Sequence, residues 1–398
     1  MTLSSARVPA PGVRRLTRTL YGYAFLDDFV LLYPLYALLF ADTGLPLWQI
    51  SSLFALWSLT SVVLEVPSGA WADAVSRRRL LWIGPLLTAA GFALWVTVPS
   101  YAAFAAGFVL WGAGGALGSG ALEALVYDEL DHRGAAASYA RVMGRARAAR
   151  LLGTVASIGL AAPVFERGGY AAAGAAGVLA CVLAAGTATR FPEHRARPEG
   201  GGDGWAATLR TGLAEVRGNR AVRGALLLVP AVAAVWGALD EYTPLLVRDT
   251  GVADATVPWL IMLIWAAVTA GSLLTGPAER LGTGGLAALL AGGALALAMG
   301  AAARSLAGIA LVALAFAAFQ LAEVLADVRL QHRIDESCRA TVTSVAGLGT
   351  ELVTVATFGV YALLGSELAH GTVFAVLALP YLVTALALLR GRPATARP

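Results

Sequence analysis

Apolar runs of about twenty residues, parted by short polar intervals, recur along the whole of this chain. A helix needs roughly 20 mostly apolar residues to cross about 30 Å of hydrocarbon. Runs of that length predict spans near 19–40, 47–66, 80–98, 101–124, 145–165 and 170–189, then 222–246, 257–277, 283–303, 306–327, 341–364 and 371–389. The expected fold is an all-α polytopic membrane protein with twelve transmembrane helices. The longest polar interval divides them into an N-terminal six-helix bundle (1–189), a cytoplasmic linker (190–221) and a C-terminal six-helix bundle (222–398). In the linker, Arg195, Arg197, Pro198 and Gly200–Gly202 read as a joint, followed by Trp205, Leu209, Leu213 and Val216 at helical spacing. That stripe fits an amphipathic helix on the inner leaflet or an ordinary solvated linker helix.

Composition agrees with lipid as the solvent. Of the 398 residues 58% are hydrophobic and 14% charged, against roughly 25% charged in a soluble domain. The formal charge of +4 and the pI near 9.3 raise the question of nucleic acid. The placement of the charge answers it. All 29 basic residues are Arg; with both termini cytoplasmic, 26 of them fall in cytoplasmic tails and loops, and only Arg167, Arg248 and Arg304 lie outside. Short cytoplasmic loops collect Arg and Lys, so the charge marks topology in a cytoplasmic (inner) membrane rather than a nucleic-acid surface. Cys181 and Cys338 lack metal-ligand spacing and read as unpaired thiols. The first apolar run has no signal-peptide exit.

The chain also repeats itself. Asp42-Thr43-Gly44 returns as Asp249-Thr250-Gly251 and Ser68-Gly69 as Thr275-Gly276, both 207 residues on. Glu123, Asp128 and His132-Arg133 return as Glu323, Asp327 and His332-Arg333 at offsets of 199–200, and Leu26-Asp27-Asp28 is echoed by Leu239-Asp240-Glu241. Two parallel repeats suit a binding site at the midplane between halves that rock against each other. Between spans two and three the sequence reads Gly69-Ala70-Trp71-Ala72-Asp73-Ala74-Val75-Ser76-Arg77-Arg78-Arg79. This resembles the signature loop of the major facilitator superfamily, Gly-x-x-x-Asp-Arg-x-Gly-Arg-Arg. Gly69, Asp73, Arg77 and Arg78 match; Ala74 and Ser76 depart. Arg339-Ala340-Thr341, opening span eleven, also looks like the family.

The resemblance implies a cytoplasmic gate. Gly69 would let the chain leave its helix tightly, and Asp73 would face the positive end of the eleventh helix. Arg77 and Arg78 would reach Glu123 and Asp128 at the inner end of span four, a clasp that closes in one state and opens in the other. The second half carries a degenerate copy, Glu279 and Arg280 with Glu323 and Asp327. The alternative is that these charges only solvate the interface.

Ionisable residues at membrane depth are functional candidates by default. At about 1.5 Å per residue, Asp27 lies roughly 14 Å past Arg18, and Glu351 roughly 18 Å past Arg339. Asp240 and Glu241 lie roughly 25 Å past Arg223, nearer the outer mouth. A carboxyl taken out of water favours its neutral form, so Asp27, Asp28, Glu351, Asp240 and Glu241 are candidates for proton coupling or cation recognition. Each competes with a fixed hydrogen bond to a neighbouring helix. Tyr33, with Tyr21, Tyr23, Tyr36, Trp57 and Tyr242, could stack on an organic solute. Spans three, six, nine and twelve carry no charge, and in the family these face lipid. No Arg is expected at midplane depth, which disfavours an anionic substrate. Gly112 to Gly120 lacks the ending of a phosphate loop and reads as close helix packing.

The function these features imply is secondary active transport of a small organic solute by alternating access, as proton-coupled efflux. A facilitator or importer of a neutral solute such as a sugar is the alternative within the class; a non-transporting membrane receptor is the alternative outside it. No enzyme motif and no cofactor site is expected. The expected partners are the solute, protons and the lipid bilayer, with no nucleic acid, and the family default is a monomer.

Overall fold

The computed structural model describes residues 11–194, 220–334 and 339–390, with the side chains of 65–74 and of residues 11, 220, 221 and 339–341 outside that description. The linker stripe Trp205–Val216 and Cys338 lie outside the described residues. Every regular element among them is helical.

Ten helical runs are long and apolar enough to cross a bilayer. One of these, Tyr139–Ala188, holds two spans, for it turns at Gly168–Gly169, where Gly169 adopts φ +58°, a conformation glycine takes without penalty. The remaining span is the first, and here the expected continuous helix 19–40 is corrected. The chain forms Pro11–Asp27, leaves the helix over residues 28–35, and resumes at Tyr36–Asp42. Pro34 has no N–H to donate and disfavours helical geometry at Tyr33, so one helix cannot run through. Span seven is interrupted in the same way, into Arg220–Asp240 and Thr243–Arg248, with Pro244 in the first turn of the second piece. An acidic pair stands at the start of each break.

Contacts divide the described chain into two compact units. The first holds the residues through Tyr33 and those from Leu59 to the end of the first half; the second holds Pro34–Ser58 and the residues from Arg220 onward. The second half of span one and the first half of span two therefore pack with the second repeat.

In the first unit, helix 11–27 lies along 139–188, and Arg77–Thr97 packs on both Tyr101–Gly118 and 139–188. Glycines set the approach. A Cβ on Gly84 would stand 2.7 Å from the Gly114 carbonyl oxygen, and one on Gly91 2.8 Å from that of Gly107. Backbones this close pack by dispersion, which lipid cannot supply through hydrophobicity. The glycine-rich stretch of span four is thus packing surface at Gly112 and Gly114. Beside it Phe92, Trp95, Phe104 and Phe108 are fully buried, and the Trp95 indole donates to the Phe104 carbonyl at 3.1 Å.

The second unit repeats the device. Thr283–Ala302 crosses Leu306–Gln331 at Gly300 and Gly308, where a Cβ on either would fall 2.3–2.5 Å from the other's carbonyl oxygen. A tyrosine from the last span also enters helix 220–240. The Tyr381 hydroxyl accepts from Trp236 N–H at 2.7 Å and donates to the Val232 carbonyl at 3.2 Å. Those are groups an uninterrupted helix joins directly. The insertion fixes Trp236 just before the break at Glu241.

Candidate functional site

Each unit encloses a cavity beside its broken helix. In the first, about 320 Å³ are lined by Tyr23, Asp27, Asp28, Glu123, Arg150 and Trp111 among others. Helix 11–27 ends at Asp27, and the turn that follows presents Asp28 to the same space. Arg150 bridges them, Nη2 lying 3.2 Å from Asp27 Oδ2 and Nε 3.5 Å from Asp28 Oδ2. All three side chains are half-buried. Two expectations are corrected here. The expected span five opens at 145, yet Arg150 is expected among the cytoplasmic arginines, leaving no Arg at depth; the helix starts at Tyr139, placing Arg150 eleven residues, roughly 16 Å, along it. Glu123 is expected to serve the gate at the inner edge; span four continues as Ala121–His132, so Glu123 is nine residues, roughly 14 Å, from its end and faces the cavity.

In the second unit a cavity of about 260 Å³ is lined by Trp57, Ser58, Trp236, Glu241, Glu323, Glu351 and Phe358, with small residues between. Glu241 is buried, only 8% exposed. It accepts from the Tyr36 hydroxyl, Glu351 accepts from the Ser58 hydroxyl, and Glu323 accepts from the Trp236 indole at 3.0 Å. Glu323, expected at the cytoplasmic gate, is thereby corrected into the cavity. Span ten extends to Gln331, leaving Glu323 eight residues, roughly 12 Å, inside. Among the described residues no Arg or His lines this space. Asp240 is not among its lining residues, and Tyr33 lines neither cavity.

Tyr36 is the donor that keeps Glu241 satisfied, and an orphaned buried acceptor costs about 1–3 kcal/mol. Tyr36→Phe is therefore expected to lower unfolding stability in detergent by that amount. Tyr36→Phe with Glu241→Leu, which removes both partners, is expected to regain most of it. Equal stability of Tyr36→Phe and wild type would show that Glu241 does not depend on this hydroxyl.

Next to Glu241, Tyr242 is fully buried, stacked on Tyr361 at 3.5 Å between ring centroids and donating to Ser51 Oγ at 2.7 Å. Further out, Arg248 holds Asp42 through both terminal nitrogens at 2.8 and 3.1 Å and Asp254 through Nε and Nη2 at 2.8 Å. Burial opposes the guanidinium charge, but these bonds outweigh it and hold the Arg248 pKa above its ordinary value.

The loop charges form a clasp within the first unit. Arg77 Nη1 meets Asp128 Oδ2 at 2.5 Å, the pairing expected for Arg77. Arg78 differs from expectation, reaching the Phe191 carbonyl at 3.5 Å instead of an acid. Ser76, where the family has glycine, caps helix 77–97 by accepting from Arg79 N–H at 3.2 Å. Its hydroxyl donates to Glu193, which also accepts from Arg77 N–H at 2.7 Å. The helix before the loop runs past Gly69 to Ala74, so the turn falls at Val75–Ser76 and not at Gly69. Gly69 lies within that helix; the Asp73 side chain lies outside the description. Of the degenerate second copy, Asp327 accepts from Gln331 at 3.3 Å, while Arg329 caps the Leu281 carbonyl at 2.7 Å.

A profile of the Major Facilitator Superfamily matches residues 20–357. The chain belongs to that superfamily. No curated protein sequence matches it significantly. Among solved structures, a point mutant of the nucleoside transporter NupG aligns with TM-score 0.78 at 12% identity, covering 94% of this chain and 99% of that one. A bacterial homologue of the human lysosomal transporter Spinster gives 0.69 at 14%, covering 98% and 100%. A D-xylose–proton symporter gives 0.70 at 14%, covering 96% and 98%. These likenesses show the facilitator fold.

Within the superfamily fold, several site residues carry no sequence signal of the kind used above. Ser58 sits in an apolar stretch, and Glu193 falls in the expected linker. Trp236 stands among small residues. A further repeat does carry a signal. Thr154-Val155-Ala156-Ser157 followed by Gly159 returns 200 residues on as Thr354-Val355-Ala356-Thr357 followed by Gly359. That register sets spans five and eleven in correspondence and matches Arg150 with Thr350, one residue before Glu351.

Proposed function

We propose that this superfamily member is a secondary active transporter that exchanges protons for a small organic solute, acting as an exporter in the cytoplasmic membrane. The observation that carries this is the pair of cavities walled by carboxyls, Asp27, Asp28 and Glu123 in one and Glu241, Glu323 and Glu351 in the other. A cavity carboxyl that holds either a proton or a solute group, and not both at once, makes the two compete. Competition across alternating access is exchange, and an inward proton gradient then drives the solute outward. The excess of cytoplasmic Arg supports both ends of the chain facing inward. We place the Arg77–Asp128 clasp, with Glu193 and Ser76, at the cytoplasmic gate. The active form is a monomer, needing no cofactor and no nucleic acid.

The test is proton flux in proteoliposomes carrying an internal pH dye, with a panel of cationic, neutral and anionic organic solutes. Solute-dependent flux is expected in the wild type and is expected to fall to background in Glu351→Gln and in Asp27→Asn. Saturable uptake of a labelled solute with no accompanying proton flux would replace exchange by facilitation.

A further inference from the structure

We propose that the cavity of the second unit binds a small organic monocation, its charge held by Glu323 and Glu351 and its body resting on Trp57, Trp236 and Phe358. This names the substrate class for the transport reading above and rests on it.

The argument begins with charge. Glu241 from the break in span seven, and Glu323 and Glu351 from two separate helices, reach one space of about 260 Å³. Each has one neutral donor, from Tyr36, Trp236 and Ser58 respectively. Among the described residues none has a cation: no described Arg or His lines the space, and the chain has no Lys. Carboxylates gathered in a low-dielectric cavity repel one another, and burying them without a counter-charge is costly. Neutral donors lessen that cost but do not remove it, so the cavity is stable when it holds protons or a cation.

The chain's other repeat shows what such a set of acids takes. There, Asp27-Asp28 close the first helix of the half as Asp240-Glu241 do in the second, and Glu123 matches Glu323 200 residues on. In that first cavity the acids are met by Arg150, at 3.2 and 3.5 Å. The same register puts Thr350 at the arginine's place and the acid Glu351 beside it. One half therefore carries its cation in the chain. The other has an uncharged residue at that position and an acid beside it.

The walls and the spacing set the kind of cation. Among the described residues no His, Cys, Asp and Glu group is close enough to chelate a metal ion, so three separated carboxyls suit a larger body. Two indoles and a phenyl ring border the space, and aromatic faces attract a desolvated ammonium. A volume just below the usual range of roughly 300–1,000 Å³ limits the guest to a compact one. Protons and the guest compete for the same carboxyls.

Equilibrium titration of the purified protein in nanodiscs tests this without any gradient. The probes are benzyltrimethylammonium, its neutral isostere neopentylbenzene, and benzenesulfonate, with empty nanodiscs subtracted. The cation is expected to bind saturably at pH 8, at least tenfold more tightly than either control, and more weakly at pH 5. Glu323→Gln and Glu351→Gln are each expected to weaken it at least tenfold. Thr350→Arg, which places a fixed guanidinium where the other half has Arg150, is expected to abolish binding while keeping a wild-type unfolding transition. Absence of preference for the cation, or cation affinity unchanged in both glutamine variants and in Thr350→Arg, overturns the proposal. That failure would leave proton–solute exchange standing with another substrate. Cation binding without proton flux would instead retain the site and overturn the exchange.

Discussion

Arg150→Ala is expected to reduce transport to below about a hundredth of wild type, a loss on the scale of Asp27→Asn. Arg150 is the cation of a cavity that also holds Asp27, Asp28 and Glu123. Without it two adjacent carboxylates face each other; like charges about 4 Å apart at an effective dielectric of 20 repel by roughly 4 kcal/mol. Because Arg150 is 44% exposed and its partners 28% and 34%, water offsets part of that, and the expected loss of stability is about 1–3 kcal/mol. Lysine is a point charge and cannot serve Asp27 and Asp28 through separate nitrogens as the guanidinium does. Arg150→Lys is therefore expected to keep the fold and only part of the transport. Arg150→Ala combined with Asp28→Asn should regain stability but not transport. Unfolding in detergent and flux in proteoliposomes read the two effects separately, and wild-type flux in Arg150→Ala would remove this residue from the mechanism.

Gly308→Leu is expected to be the most damaging change in the scaffold. A Cβ there stands 2.3 Å from the Gly300 carbonyl oxygen, and one on Gly300 2.5 Å from that of Gly308. Neither obstacle is a side chain that can rotate away; the helices must part. Overpacking typically costs about 1–3 kcal/mol, and parting two backbones puts this substitution at about 3 kcal/mol or more. Folded yield after size-exclusion chromatography is expected to fall severely for Gly308→Leu and less for Gly308→Ala. By contrast Gly115→Ala, with nothing within 4 Å of its added Cβ, should be tolerated. A Gly308→Leu protein as stable as wild type would mean that these helices have slack the geometry does not reveal.

The contrast between what the sequence discloses and what it hides follows from the range of each interaction. Hydropathy is summed over twenty residues, so it finds the spans but passes smoothly over the breaks at residues 28–35 and 241–242. Pro34 and Pro244, each a few residues after an acidic pair, are the local marks of those breaks. Depth counted from the edge of an apolar run fails where a helix begins in polar sequence. Tyr139 to Arg150 is helix with four arginines in it, yet the expected span opens only at 145 and all four count as cytoplasmic. The same error puts Glu123 and Glu323 at the membrane edge. Their kinship is legible from the repeat, and so is that of Asp27-Asp28 and Asp240-Glu241. Arg77 with Asp128 is legible because the family loop names the partners. The hydroxyls on Glu241 and Glu351 are not, since Tyr36 and Ser58 lie 205 and 293 residues from the acids they serve, and no periodicity spans such distances.

Those separations also bear on how the protein is made. Residues 34–58 leave the ribosome early, yet the neighbours they pack with begin at residue 220. At a synthesis rate of roughly 5–20 residues per second, Tyr36 waits about 10–40 s for Glu241 to emerge. Over that interval the first two spans are inserted but lack their final partners, exposing hydroxyls and aromatic rings to lipid or to insertion chaperones. The first repeat is thus expected not to complete its fold alone: residues 34–58 pack with the second, and a chain truncated after the linker would lack those neighbours.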